Sequence, residues 1–255
     1  MKNIKIVLQY DGTDYSGWQV QKKEKTIQSL LSDAVLAVTK EKVKITGAGR
    51  TDAGVHAFGQ VAVFGTESDL EPSVFLRAVN AHLPDDIRVV KAAACPEDFH
   101  PRFSAKNKTY SYIVSCPGAY SVFLKRYSWQ VPYELNIARM RKAAKVIAGR
   151  QDFSCFRASG CSSKNAVRNI KGLTISKTNS FGFLGFKFNA PLIKISVQGD
   201  AFLRYMVRNI TGLLVEVGRG KVQPGEVKEI IHSKDRRLSG PTAPAQGLFL
   251  ERIVY

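Results

Sequence analysis

Apolar positions along this chain switch between two periods. Ile4, Ile6, Leu8 and Tyr10 fall at every second residue, as in a half-buried strand, and the run ends in the turn chemistry of Asp11-Gly12-Thr13-Asp14. Helical spacing follows: Ile27, Leu30, Leu31, Ala34, Val35 and Val38 stand behind Thr26, whose hydroxyl suits an N-cap. Val43 and Ile45 resume alternation, and after a glycine-rich stretch Val61 and Val63 open another strand running to about Gly65. Pro72 starts a helix carrying Phe75, Leu76, Val79 and Leu83, since proline is tolerated in a first turn, and Ile87 and Val89 mark a closing strand. The order β-α-β-β-α-β is the split βαβ pattern of a ferredoxin-like sheet.

The rhythm restarts after His100-Pro101-Arg102. Lys108 to Val114 reads as a strand with Tyr110 and Tyr112 on one face and Thr109, Ser111 and Ile113 on the other. Ile137, Met140, Ala144 and Ile147 predict a helix that Gly149 can cap, and Leu173/Ile175 and Ile193/Ile195/Val197 predict strands. Residues 201–217 read as one long helix, followed by a short helix after Pro224-Gly225 and a last strand near residues 248–254. The expected fold class is therefore α+β, with two related ferredoxin-like halves, residues 1–105 and 106–255, and mainly antiparallel sheets. Neither a recognisable repeat nor a low-complexity linker joins them.

Charge changes this picture more than composition does. Lys and Arg number 38 against 21 Asp and Glu, a formal charge of +17, which calls for a polyanionic partner; nucleic acid and an anionic membrane surface compete. No apolar run approaches twenty residues, and Ile4 enters a strand pattern with neither a signal-peptide core nor a transit segment ahead of it. A cytosolic, nucleic-acid-facing protein without a membrane partner is expected. Cys95, Cys116, Cys155 and Cys161 form no Cys-x-x-Cys pair and read as reduced thiols, and the four histidines lack ligand spacing, so no metal is expected.

Candidate chemistry concentrates in Gly47-Ala48-Gly49-Arg50-Thr51-Asp52-Ala53-Gly54-Val55-His56-Ala57. Asp52 is the lone acid between Glu41 and Glu67, with Arg50 two residues before it, so it should stay ionised. That suits a carboxylate nucleophile or charge stabiliser. Gly-x-Gly loops also simply turn a chain between strands, and spacing alone leaves that reading open. In the predicted helix Arg204 and Arg208 are four apart, sharing a face with Thr211 opposite Leu203, Met206, Ile210 and Leu214. The interleaving of bases and aromatics from Phe202 to Asn209 fits phosphate pairing with base stacking, although a solvated face has the same pattern. Tyr110 can be core or a platform for a displaced base, and residues 100–108 add Arg102, Lys106, Lys108 and His100. Asp11 and Asp14 read as turn residues, and Trp18-Gln19 as core or RNA contact, with contact slightly favoured.

Taken together, Tyr10-Asp11-Gly12-Thr13, Gly17-Trp18-Gln19, Gly49-Arg50-Thr51-Asp52-Ala53-Gly54-Val55-His56-Ala57, Phe103-Ser104-Ala105, Lys108-Thr109-Tyr110-Ser111-Tyr112, Asp152-Phe153, Met206-Val207-Arg208-Asn209 and Ala243-Pro244-Ala245-Gln246-Gly247-Leu248 resemble the tRNA pseudouridine synthase A family over nearly the whole chain. The resemblance implies an isomerase that converts uridine to pseudouridine at positions 38 to 40 of the tRNA anticodon stem-loop, a homodimer, no cofactor, and an active-site cleft between the halves. It assigns the essential catalytic residue to Asp52, its arginine partner to Arg208, the stacking ring to Tyr110 and management of the displaced nucleotide to Arg50. Arg102 and Leu248 are expected at the substrate. Family members often carry histidine where Tyr205 stands, and Arg204 supplies a second cation near Arg208. Two other readings stay open on the residues alone: a non-catalytic RNA-binding module, and a phosphodiesterase using Asp52 and His56.

Overall fold

The computed structural model describes residues 1–119, 121–161, 163, 165–183 and 185–255. The chain forms mixed α+β structure whose sheets are mostly antiparallel, in two compact units: Met1–Lys106 with Phe249–Tyr255, and Asn107–Leu248. The first unit thus takes in the end of the chain, from Phe249 on.

In the first unit, β1 (Lys2–Tyr10) is the central strand. The helix α1 (Ile27–Thr39) follows, then β2 (Thr46–Gly47), β3 (His56–Thr66), α2 (Pro72–Asn80) and β4 (Ile87–Cys95). β1 pairs antiparallel with both β3 and β4, and β2 pairs antiparallel with β3. Ile4, Ile6, Leu8 and Tyr10 are all buried, as the alternation predicts, beside Ile27, Leu31, Val35, Phe64 and Phe75. Thr26 caps α1 as expected: its hydroxyl accepts the Ser29 N–H, and the Ser29 hydroxyl accepts the Thr26 N–H in return. Two expectations change. Val43 and Ile45 precede the strand, which is only two residues long, and β3 begins at His56, so the end of the Asp52 motif is strand and not loop. β3 is buried along almost its whole length, and this erased the period-2 signal that would have marked its start.

The second unit runs β5 (Asn107–Ser115), β6 (Trp129–Gln130), α3 (Ile137–Ile147), β7 (Gly149–Asp152), β8 (Val167–Phe183), β9 (Phe186–Gly199), α4 (Met206–Gly218) and α5 (Val227–Ser233). The final strand, β10 (Leu248–Val254), lies parallel to β3 through Phe249 and Leu250. Antiparallel pairings give the order β5-β9-β8-β7, and β6 adds in parallel to β5. No helix among the described residues is long and apolar enough to cross a membrane.

The helix α4 differs most from expectation. It begins at Met206, five residues later than the apolar pattern suggests, because Tyr205 adopts the left-handed conformation (φ +63°). Arg204 therefore precedes the helix, and no Arg204/Arg208 ridge forms along it. Thr211, expected beside that ridge, is fully buried; within α4 only Arg208 and Glu216 escape burial. Residues 240–243 lie directly on the helix backbone at Gly212, where a Cβ would stand 1.7 Å from the Pro241 carbonyl oxygen. Gly212→Ala is accordingly expected to lower stability by about 3 kcal/mol despite its better helix propensity, read as a reduced denaturant midpoint with the folded-state spectrum retained.

Candidate active site

Asp52 sits in a short turn closed by the Val55 N–H donating to the Asp52 carbonyl, and its side chain is partly buried. The segment after β1 holds this turn by its backbone. The Trp18 N–H donates to the Thr51 carbonyl and the Gly54 N–H to the Tyr15 carbonyl. Two glycines make the approach feasible. A Cβ on Gly12 would lie 2.0 Å from the Val55 carbonyl oxygen, and Gly17 (φ +91°) would place one 2.6 Å from that of Thr51.

Side chains complete the grip. The buried Tyr10 hydroxyl bonds the Thr51 hydroxyl at 2.8 Å, and burial pushes its pKa far up, so the phenol stays neutral. The Gly12 N–H donates to His56 Nδ1 at 3.0 Å, while the His56 ring stacks on Phe249 with centroids 4.7 Å apart. Asp11 Oδ1 accepts both the N–H and the hydroxyl of Thr13 and lies 3.1 Å from the same histidine nitrogen, which makes Asp11 the turn residue its sequence suggests. His56 thus serves the loop's architecture, and its Nδ1 is engaged by backbone. Trp18 is buried under Gly47 and is core, correcting the reading of it as an RNA contact.

In the second unit, Tyr110 is only 7% exposed and meets Phe202 edge-on at 5.1 Å. Its neighbour Tyr112 is fully buried and donates its hydroxyl to the Pro244 carbonyl at 2.7 Å; burial drives this phenol's pKa strongly upward, against the pull of the Arg208 charge. Arg208 and Ala243 grip each other twice. Arg208 Nε donates to the Ala243 carbonyl at 2.8 Å, and the Ala243 N–H returns a bond to the Arg208 carbonyl. The guanidinium of Arg208 also lies 4.7 Å from the Tyr205 ring centre, and that of Arg204 lies 4.9 Å from the same ring. Asn209, next to Arg208, is fully buried and gives its amide N–H to the Phe156 carbonyl.

The remaining expected residues divide by exposure. Arg50 and Arg102 are exposed, Arg102 over the ring of a Phe103 that is itself 75% exposed. Leu248 is buried at the start of β10, and Lys108, expected as an accessible cation, is buried as well. His100 accepts the Arg102 and Phe103 N–H groups on Nδ1, so it shapes the turn. Tyr10, Thr51, Asn209 and Arg236 escaped sequence reasoning as supporting residues. For the first three, their places within or beside the matched motifs were the available signal.

Comparison with known proteins places the chain among RNA-modifying enzymes. The sequence profile described as tRNA pseudouridine synthase matches residues 6–104 and 143–255. The chain is similar along its full length to proteins named tRNA pseudouridine synthase A: 44% identical to that of Thermoanaerobacter sp. (strain X514), 41% to that of Acetivibrio thermocellus and 39% to that of Thermodesulfovibrio yellowstonii, with each alignment covering 100% of both chains. This chain belongs to the tRNA pseudouridine synthase family.

Within the matched motifs, Asp152 has a testable electrostatic role. Its carboxylate accepts the Ser154 hydroxyl at 2.6 Å and the Ser154 N–H at 2.9 Å, and pairs with Lys234 at 3.2 Å. The Ser154 hydroxyl bond is the largest influence holding its pKa below the usual carboxylate range. The associated stability is therefore fully present above the unfolded value of about 3.9 and lost as pH falls through the folded value. Urea midpoints measured at about pH 6 and about pH 3 should differ more for the wild type than for Asp152→Asn.

Proposed function

We propose that this protein is a tRNA pseudouridine synthase acting on uridines 38 to 40 of the anticodon stem-loop, with Asp52 as the essential catalytic residue. The reaction breaks the bond between C1′ and N1, turns the uracil, and joins C5 to C1′; the C5 hydrogen leaves to solvent and N1 takes a proton. Atoms balance without a redox partner, so the chemistry requires no cofactor. The observation that carries the reading is the Asp52 turn itself, whose backbone is gripped by that of residues 12–18 and which carries one partly buried carboxylate, within a family match that runs the length of the chain.

Arg208 is proposed as the cation that keeps the carboxylate ionised and aligned, Tyr110 as the ring that stacks on the uracil, and Arg50, Arg102 and Leu248 as substrate contacts. Of the two arginines at Tyr205, Arg208 is favoured because its Nε is fixed on Ala243, whereas Arg204 lies outside the helix. A cytoplasmic homodimer acting on tRNA accords with the +17 charge and with the family.

Tritium release from tRNA labelled at uridine C5 tests this directly. Wild type should release the label, and Asp52→Asn should release none while binding tRNA normally; turnover by that variant would remove the catalytic assignment. Tyr110→Phe should keep most of the affinity for tRNA, whereas Tyr110→Ala should weaken it by about 1–3 kcal/mol, measured by filter binding at fixed salt. Equal losses in both variants would point to the hydroxyl and away from stacking.

A further inference from the structure

Arg208 Nε is held by the carbonyl of Ala243, and the turn that carries Ala243 is itself organised by one side chain. Arg236 Nη1 donates to the Ser239 hydroxyl at 3.0 Å and to the Gly240 carbonyl at 2.6 Å. Its Nη2 donates to the Thr242 hydroxyl at 2.7 Å and to Asn209 Oδ1 at 2.9 Å. Thr242 in turn donates to Asn209 Oδ1 at 2.7 Å, and Ser239 donates to the Cys155 carbonyl at 2.6 Å. All four terminal hydrogens of the guanidinium are thus spent on residues 239–242 and on Asn209, the helical neighbour of Arg208.

We propose that Arg236 is a positioning residue for Arg208, fixing the 239–243 turn against α4 so that the Ala243 carbonyl holds Arg208 Nε in one direction. These four partners are neutral oxygens, so Arg236 supplies geometry here and not charge compensation. Partial burial lowers its pKa through desolvation, a cost that a lysine would also bear without being able to span the fork. The adjacent Arg237 shows the contrast: it pairs with Asp235, and its side chain is 89% exposed. The inference rests on the role given above to Arg208.

The test is a double-mutant cycle in the tritium-release assay. Arg236→Lys should lower kcat about ten- to a hundredfold, the effect of a small misplacement of a reacting group. KM for tRNA should stay within about twofold, because ground-state binding is untouched. Arg208→Lys keeps a cation but lacks the Nε bond to Ala243, so adding Arg236→Lys to it should lower kcat no further. Thr242→Val, a milder change with the fold preserved, should give a loss of the same kind of about threefold. An unchanged kcat in folded Arg236→Lys overturns the inference, as does an equal further loss in the Arg208→Lys background, which is what a merely structural role produces. Full activity of Arg208→Lys and Arg208→Ala alone would instead overturn the role assigned to Arg208.

Discussion

Backbone pressed directly on backbone, with no room for a side chain between, is the constraint on which both motif regions depend. In the first unit the chain after β1 lies on the Asp52 turn at Gly12 and Gly17; in the second, residues 240–243 lie on α4 at Gly212. Contacts this close fix position more tightly than side-chain packing can, since backbone has no rotamers to adjust. They also satisfy polar groups that burial would otherwise orphan: Thr51 and Tyr15 carbonyls in one unit, Arg208 and Ala243 groups in the other. Side-chain bonds such as Tyr10 to Thr51 and Tyr112 to Pro244 then close the remaining degrees of freedom.

Tyr205 shows how a local conformation serves the same end. A non-glycine residue in the left-handed region costs about 1–3 kcal/mol and persists where its surroundings demand it. Here the flanking carbonyls are both engaged, Arg204 with the Ala158 N–H and Tyr205 with the Asn209 N–H, so the kink is held from either side. Its consequence is to end the incoming segment one residue before Met206 and to set both arginines against one ring. Had the helix run through Ala201, Arg204 and Arg208 would have shared its face one turn apart.

Strands and helices with one buried face were legible because their periodicity is a direct record of burial. The alternation of Ile4 to Tyr10 and the Thr26 cap transfer to the structure unchanged. Where burial is all round, the record vanishes. β3 starts elsewhere than expected because it has no polar face to set against an apolar one, and the apolar run into α4 hid the left-handed Tyr205 that starts the helix late. The proposal of Asp52, Arg208 and Tyr110 as site residues came from motif resemblance, and for Asp52 also from its isolation among glycines. The supporting residues were not legible. Arg236 and Arg237 are adjacent and chemically identical, and nothing local distinguishes the one bonded into the 239–242 turn from the one in water.

That pair also bears on the meaning of the charge. Each of the 38 basic side chains counts equally toward +17, yet they do different work. Arg236 spends its donors on internal oxygens, Lys108 is buried, and Lys234 and Arg237 are paired with acids. Arg50 and Arg102 are exposed, beside motif residues that resemblance ties to RNA. Counterion release on binding a polyanion comes only from cations that reach phosphate. The salt dependence of tRNA binding should therefore count far fewer charges than the composition does, because part of the excess is committed to holding the protein's own backbone in place.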